Sequence, residues 1–222
     1  MNNKEKWNNG LRKEVVFWDG WIKTAAHKYN IDRPVIPYFR NFITGSPDEK
    51  ILDVGCGAVG CGTMFNGIKM NITGADYLAD EYHKSFNSIG MAPIFKIEKQ
   101  DMACMTYPDN TFDFVHCRNA LDHCYDPYNS IKEMIRVCKP RGWVHLVHFV
   151  NVAKTSFYGG LHVWNICKSS RSKNPDCLFW NRNSEITFLL SEIDKGFTNR
   201  GSNGDPDYNT GGLIIISTLK KK

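Results

Sequence analysis

Three acids, two glycines, an asparagine and three histidines lie where their types and spacing could do chemistry. Asp53 stands two residues before Gly55 in Ile51-Leu52-Asp53-Val54-Gly55-Cys56-Gly57, at the tip of a short apolar run. Gly55 and Gly57 lack the Cβ atoms that would keep a flat ligand away from the main chain. Gly60 completes a literal G-x-G-x-x-G, a spelling shared by several nucleoside cofactors. Asp53 narrows the choice, because a diphosphate arriving there would meet another negative charge. A cofactor with cationic groups and no phosphate suits it better. Asp76 lies 23 positions after Asp53 and ends a second apolar segment, Asn71–Tyr77. That distance suits a βαβ unit that brings a carboxylate to a ribose, where one carboxylate can accept from two hydroxyls. The plainer reading is an acid capping the helix that follows. His123, His148 and His162 could each take a proton near neutral pH or serve as hydrogen-bonded structural groups.

Short apolar runs must position these groups. Ile51–Val54, Asn71–Tyr77, Ile94–Ile97, Thr111–His116 and Trp143–Val150 read as strands, and Leu213–Ile216 as a further strand inside the sheet. Helical spacing is seen from Leu11 to Tyr29, from Tyr82 to Ile89, after Asp126-Pro127, and from Glu185 to Ile193. Thr63-Met64-Phe65 is expected to open a helix after the glycine turn, and Tyr38–Ile43 a short one. The alternation predicts an open α/β sheet that holds its ligand at the carboxyl ends of its strands. With Trp7, Trp18 and Trp21, the first helical segment is either an amphipathic helix packed on the domain or a lid with an aromatic face. The stretch from Asn151 to Asn183 is long for a loop and rich in aromatics, histidine and asparagine, a composition suited to recognition. Within it, Tyr158 and Trp164 either wall an acceptor or anchor the insert.

The D-x-G-x-G of Asp53, Gly55 and Gly57 resembles motif I of the class I S-adenosylmethionine-dependent methyltransferases, of the small-molecule, methyltransferase-11-like type. The glycine spacing is one residue longer than the common D-x-G-x-G-x-G. Further resemblances follow in order: Asp101-Met102 after the third strand, F-D-x-V at Phe112–Val115, and Arg136–Gly142 against R-V-L-K-P-G-G, with Arg141 replacing a glycine. They cover Ile51 to Phe149. The resemblance implies a Rossmann-like, doubly wound, seven-stranded, mostly parallel sheet ending in an antiparallel hairpin. It implies a single domain with a helical cap (1–45), a cofactor-binding core (50–150), a substrate-binding insert (151–183) and a C-terminal helix and strands (184–222). S-adenosylmethionine is the implied cofactor, held by Asp53, Gly55, Cys56, Gly57, Asp76, Tyr77, Asp101, Met102 and Asn119. If the acceptor is a hydroxyl, His123 and His162 are the catalytic candidates, as bases for its proton. The acceptor is expected to be a small molecule methylated at a hydroxyl, such as that of a sugar. Two alternatives stay open: an NAD(P)-dependent oxidoreductase, and a catalytically silent S-adenosylmethionine-binding partner subunit.

Size and composition set the outer bounds. The 222 residues suit one domain with a buried core, and 42% hydrophobic with 23% charged residues is ordinary for a globular chain. No apolar run approaches the roughly 20 residues of a membrane span, and the N-terminus has no signal-like stretch, so a cytoplasmic protein without a membrane partner is expected. The eight cysteines include no C-x-x-C pair, which indicates neither a disulfide framework nor a zinc site. No metal is expected. A net charge of +5 with one basic tail, Lys220-Lys221-Lys222, gives little reason to expect nucleic-acid binding. A homodimer is compatible with such a domain.

Overall fold

The apolar runs pair into one central sheet. The computed structural model describes residues 3–169, 176–182, 188–193 and 214–221. In chain order its principal elements are α1 (Asn3–Tyr29), β1 (Lys50–Val54), the hairpin β2 (Met64–Phe65) and β3 (Ile68–Lys69), β4 (Asn71–Asp76), α2 (Ala79–Ser88) and β5 (Lys96–Lys99). There follow β6 (Phe112–Arg118), α3 (Pro127–Val137), β7 (Cys138–Phe149), α4 (Val152–Thr155), β8 (Trp164–Lys168), β9 (Cys177–Asn181), β10 (Phe188–Leu189) and β11 (Ile214–Lys220). The main sheet has the order β11-β7-β6-β1-β4-β5. All its pairings are parallel except β11 against β7. The chain winds outward from β1 in both directions, so the crevice between β1 and β6 is the switch point where such sheets bind ligands.

Burial follows the strand pattern. In β1 every residue after Lys50 is buried, as expected for a strand covered on both faces. One apolar layer packs Ile131, Met134 and Val137 of α3 beneath β6 and β7. On the opposite face α1 and α2 bury Ile22, Ala26, Tyr82 and Phe86. Asp126 caps α3 by accepting from the Asn129 N–H at 3.0 Å, with Pro127 at the first helical position.

Several local expectations are corrected. Six strands of the expected sheet lie among the described residues, and 194–213 lies outside them. Thr63-Met64-Phe65 opens no helix. Met64–Phe65 instead pairs antiparallel with Ile68–Lys69 around Asn66 (φ 49°) and Gly67 (φ 80°). An Asn-Gly pair with both φ values positive is the preferred two-residue hairpin turn. Within the insert α4 precedes β8 and β9, which with β10 form a three-stranded antiparallel sheet of order β10-β9-β8. The helix expected over Glu185–Ile193 is absent at Phe188–Glu192, where β10 runs into a single 3-10 turn. Phe188 stacks on Phe179 of β9 at 4.5 Å, and this cross-strand contact outweighs the helical spacing. The strand expected inside the sheet is β11, which lies at its edge among the described residues, although Thr218 and Leu219 are buried. No helix among the described residues is long and apolar enough to cross a membrane.

Candidate functional site

The carboxyl ends of β1, β4 and β6 open into a cavity of about 690 Å³. Asp53, Gly55, Cys56, Gly57, Asp76, Tyr77, Asp101, Met102, Asn119, His123 and His162 all line it. The nine residues expected to hold the cofactor are thus brought to one space with His123 and His162. His148 is not: it is buried in β7 away from the cavity wall.

The glycine turn forms the floor. Gly57 has φ +60°, and a Cβ there would lie 2.7 Å from the Trp18 ring, so the helix α1 sits directly on the turn. Asp76 holds the same turn from the other side. Its Oδ2 accepts from the Gly57 N–H at 3.0 Å, and its Oδ1 accepts from the Leu78 N–H at 3.0 Å and the Tyr82 hydroxyl at 3.2 Å. Burial raises the Asp76 carboxyl above its usual range, against the pull of these donors. Asp76 thus lines the cavity and also receives the N–H just before α2. Arg33 donates to the Val59 and Gly60 carbonyls and ties down the far end of the turn.

Asp53 is buried, and its Oδ1 lies 3.0 Å from His116 Nδ1. The expectation of a carboxylate facing the cavity holds only in part, because one oxygen is already engaged by a histidine of β6. Asn119 follows β6 with φ +50°, a strained setting for a residue with a Cβ. Its N–H donates to the Val147 carbonyl at 2.8 Å, and its buried Oδ1 has no hydrogen-bond partner. A buried acceptor left unpaired is costly, and a ligand in the cavity could supply its donor.

One end of the cavity is aromatic. Trp7 of α1 meets Tyr77 at 4.6 Å and Tyr125 at 5.2 Å, both edge-on. Tyr125 donates to Asp101 Oδ2 at 2.7 Å, and the Met102 methyl approaches the position a Gly55 Cβ would take. A flat ring could lie among these side chains.

The other end carries the histidines. His123 belongs to the 3-10 turn Leu121–His123 after β6, and His162 precedes β8. Two hydrogen bonds bring them together: the Val163 N–H donates to the Asp122 carbonyl at 3.0 Å, and Trp164 Nε1 donates to the Cys124 carbonyl at 2.8 Å. Trp164 is therefore an anchor, buried and absent from the cavity wall, and Tyr158 likewise stands outside it, with its hydroxyl receiving Asn165 Nδ2 at 3.1 Å. His123 Nε2 and His162 Nδ1 lie 2.9 Å apart, with His162 Nδ1 also 2.7 Å from Asp122 Oδ2. Burial alone would raise the Asp122 carboxyl, but the adjacent histidines outweigh it and hold it low. The Asp122 hydrogen bond in turn raises the His162 imidazole.

Asp122, His116 and Glu14 are site residues that sequence reasoning did not select. Glu14 and His116 line the cavity, and Asp122 lies directly behind its histidines. Asp122 was detectable as the acid beside His123; Glu14 could be found only by knowing which face of α1 turns inward.

Residues 52–146 match the model of a family described as a methyltransferase domain. Phosphoethanolamine N-methyltransferase 3 of Arabidopsis thaliana is 27% identical over 148 residues, 65% of this chain and 29% of that protein. Cycloartenol-C-24-methyltransferase 1 of Oryza sativa is 36% identical over 135 residues, 54% of this chain and 39% of that protein. The chain spans well under half the length of these relatives. Among solved structures, the 1,6-didemethyltoxoflavin-N1-methyltransferase of Burkholderia thailandensis matches with TM-score 0.55 at 16% identity, over 98% of this chain and 90% of that one. An S-adenosylmethionine-dependent methyltransferase from Aquifex aeolicus matches with TM-score 0.51 at 16% identity, over 82% of this chain and 87% of that one. At such identities these likenesses establish the shared fold.

Proposed function

We propose, for a chain that belongs by its fold and by residues 52–146 to the class I S-adenosylmethionine-dependent methyltransferases, that it transfers a methyl group from S-adenosylmethionine to a small acceptor at a hydroxyl oxygen. The observation that carries this reading is the unpartnered Asn119 Oδ1 in a wall that also presents Asp53, Asp76 and Asp101. Such an acceptor-rich wall suits a ligand bringing an ammonium, an amine and two ribose hydroxyls. Asp76 and Tyr77 are placed for the ribose, Asp101 and Met102 for the adenine, and Asp53, Gly55, Cys56, Gly57 and Asn119 for the methionine end. The bound cofactor supplies an electrophilic methyl group on a sulfonium.

The chain's own contribution is orientation and the exclusion of water. Trp7, Leu11, Glu14, Phe17 and Trp18 make α1 one wall of the cavity, which supports its role as a cap. His123 and His162 stand at the acceptor side, within reach of a hydroxyl proton. The acceptor is taken to be a small molecule, such as a sugar, because the cavity of about 690 Å³ must also hold the nucleoside.

The nicotinamide alternative fits poorly. Arg33 lines the cavity but is spent on the Val59 and Gly60 carbonyls, and carboxylates surround the glycine turn. Calorimetry separates these readings. S-adenosylhomocysteine is expected to bind tightly and NADH not at all, and the opposite pattern overturns the proposal. Nucleoside binding with no methyl transfer to any member of a hydroxyl-bearing acceptor panel would favour the silent partner subunit.

A further inference from the structure

The histidine end of the cavity has a geometry that proton sharing does not explain. His123 Nε2, His162 Nδ1 and Asp122 Oδ2 form a compact triangle with sides of 2.9, 2.7 and 3.3 Å. Hydrogen bonds can lie along at most two of these edges, from the two ring nitrogens to the one carboxylate oxygen, which leaves the nitrogen–nitrogen contact unexplained. Three ligand atoms on one face of an octahedral ion, each at roughly 2.1 Å from it, would stand about 3 Å apart. The observed sides scatter around that value.

The carboxylate supplies a second, independent observation. Asp122 is fully buried, and its Oδ1 has no hydrogen-bond partner. A buried carboxylate is normally satisfied by donors or by a metal. Among the described residues its partners are these two imidazoles, acting through the other oxygen.

The third is rigidity. Asp122 and His123 share the turn after β6, and the Val163 and Trp164 hydrogen bonds clamp the His162 segment against that turn. The triangle is assembled by backbone and buried indole, not by flexible side chains reaching across solvent.

We propose that Asp122, His123 and His162 hold a divalent transition-metal ion of the Zn²⁺ or Fe²⁺ class at the acceptor end of the cavity. Two imidazoles and one carboxylate form a donor set that such ions accept with positions left open. His123 and His162 both line the cavity, so the open positions face it. An acceptor oxygen taken up there would be acidified by the ion, and the imidazoles would then be ligands in place of bases. That use of the ion rests on the methyltransferase reading; the ion site itself does not.

The test uses the full-length, tag-free protein stripped with a chelator. Zn²⁺ is titrated in competition with a chromophoric chelator, and Co²⁺ is followed by its visible absorption. One ion per chain is expected. His123→Ala and His162→Ala should each weaken Zn²⁺ binding by about tenfold or more, a loss at least as large as outer-shell changes produce. Both side chains are partly exposed, so these variants should fold, which circular dichroism checks. No uptake by the unaltered protein, or unchanged affinity in the double variant, overturns the site. Calorimetry with S-adenosylhomocysteine on the same sample reads the other proposal: nucleoside bound without zinc removes the ion alone, and zinc bound without nucleoside removes methyl transfer alone.

Discussion

Trp18 and Gly57 are in such close contact that a single added carbon at Gly57 would fall 2.7 Å from the indole ring. The N-terminal helix thus rests on the glycine turn itself, 39 residues further along the chain.

Gly57→Ala should therefore act twice. The backbone is at φ +60°, which costs a residue with a Cβ about 1–2 kcal/mol, and the methyl must displace Trp18. A fall in thermal stability and at least a tenfold loss of S-adenosylhomocysteine affinity are expected by scanning fluorimetry and calorimetry. Adding Trp18→Ala should restore part of the stability, because contacting residues couple in a double-mutant cycle.

Asp76→Ala should loosen the same turn from beneath and weaken nucleoside binding. The Gly57 N–H would lose its acceptor, a cost of about 1–3 kcal/mol for a buried donor. Asp76→Asn keeps one oxygen and should retain more affinity than the alanine variant. Equal affinity across all three proteins, measured calorimetrically, would remove Asp76 from the site.

The anchoring of the insert can be separated from cofactor binding. Trp164→Phe deletes the 2.8 Å bond to the Cys124 carbonyl while keeping an aromatic ring. His162 should then lose its fixed position beside His123. The Michaelis constant for the acceptor should rise, with S-adenosylhomocysteine affinity unchanged.

Acid should destabilise the fold through β7. Burial lowers the His148 imidazole to about 4 and puts His145 well below its ordinary range. Unfolded histidine titrates near 6.5. As pH falls from about 6.5 to about 4, the unfolded chain binds protons that the folded chain refuses. Stability present above pH 6.5 is progressively lost, on the order of 3 kcal/mol for His148 alone. Denaturant midpoints at pH 7 and pH 5 should show the drop, and His148→Gln should flatten it.

Much of the glycine-turn end of the cavity was legible in the sequence because its residues sit at strand tips. An apolar run that breaks at glycine fixes both the first strand and the direction in which Asp53 emerges, and apolar runs that end in polar residues do the same for Asp76 and Asn119. The acceptor end was less so. His123 and His162 are joined through Asp122 only after the Trp164 indole seats the insert, and that is a tertiary contact without local periodicity. The Asn66-Gly67 turn is a different case, since its local signal was present in the sequence. The helix expected at Thr63–Phe65 was suggested by the usual succession of strand, glycine turn and helix, yet an Asn-Gly pair between Phe65 and Ile68 is a hairpin signal in its own right.

That hairpin also sets an electrical bias. In a dinucleotide fold the turn runs into the amino end of a helix, whose aligned peptide dipoles offer about half a positive charge to a phosphate. Here the chain leaves the turn into two short strands, so no such pole stands behind Gly55–Gly60, and the acids Asp53 and Asp76 flank it. The crevice is thereby biased toward cations by the path of its backbone as well as by its side chains.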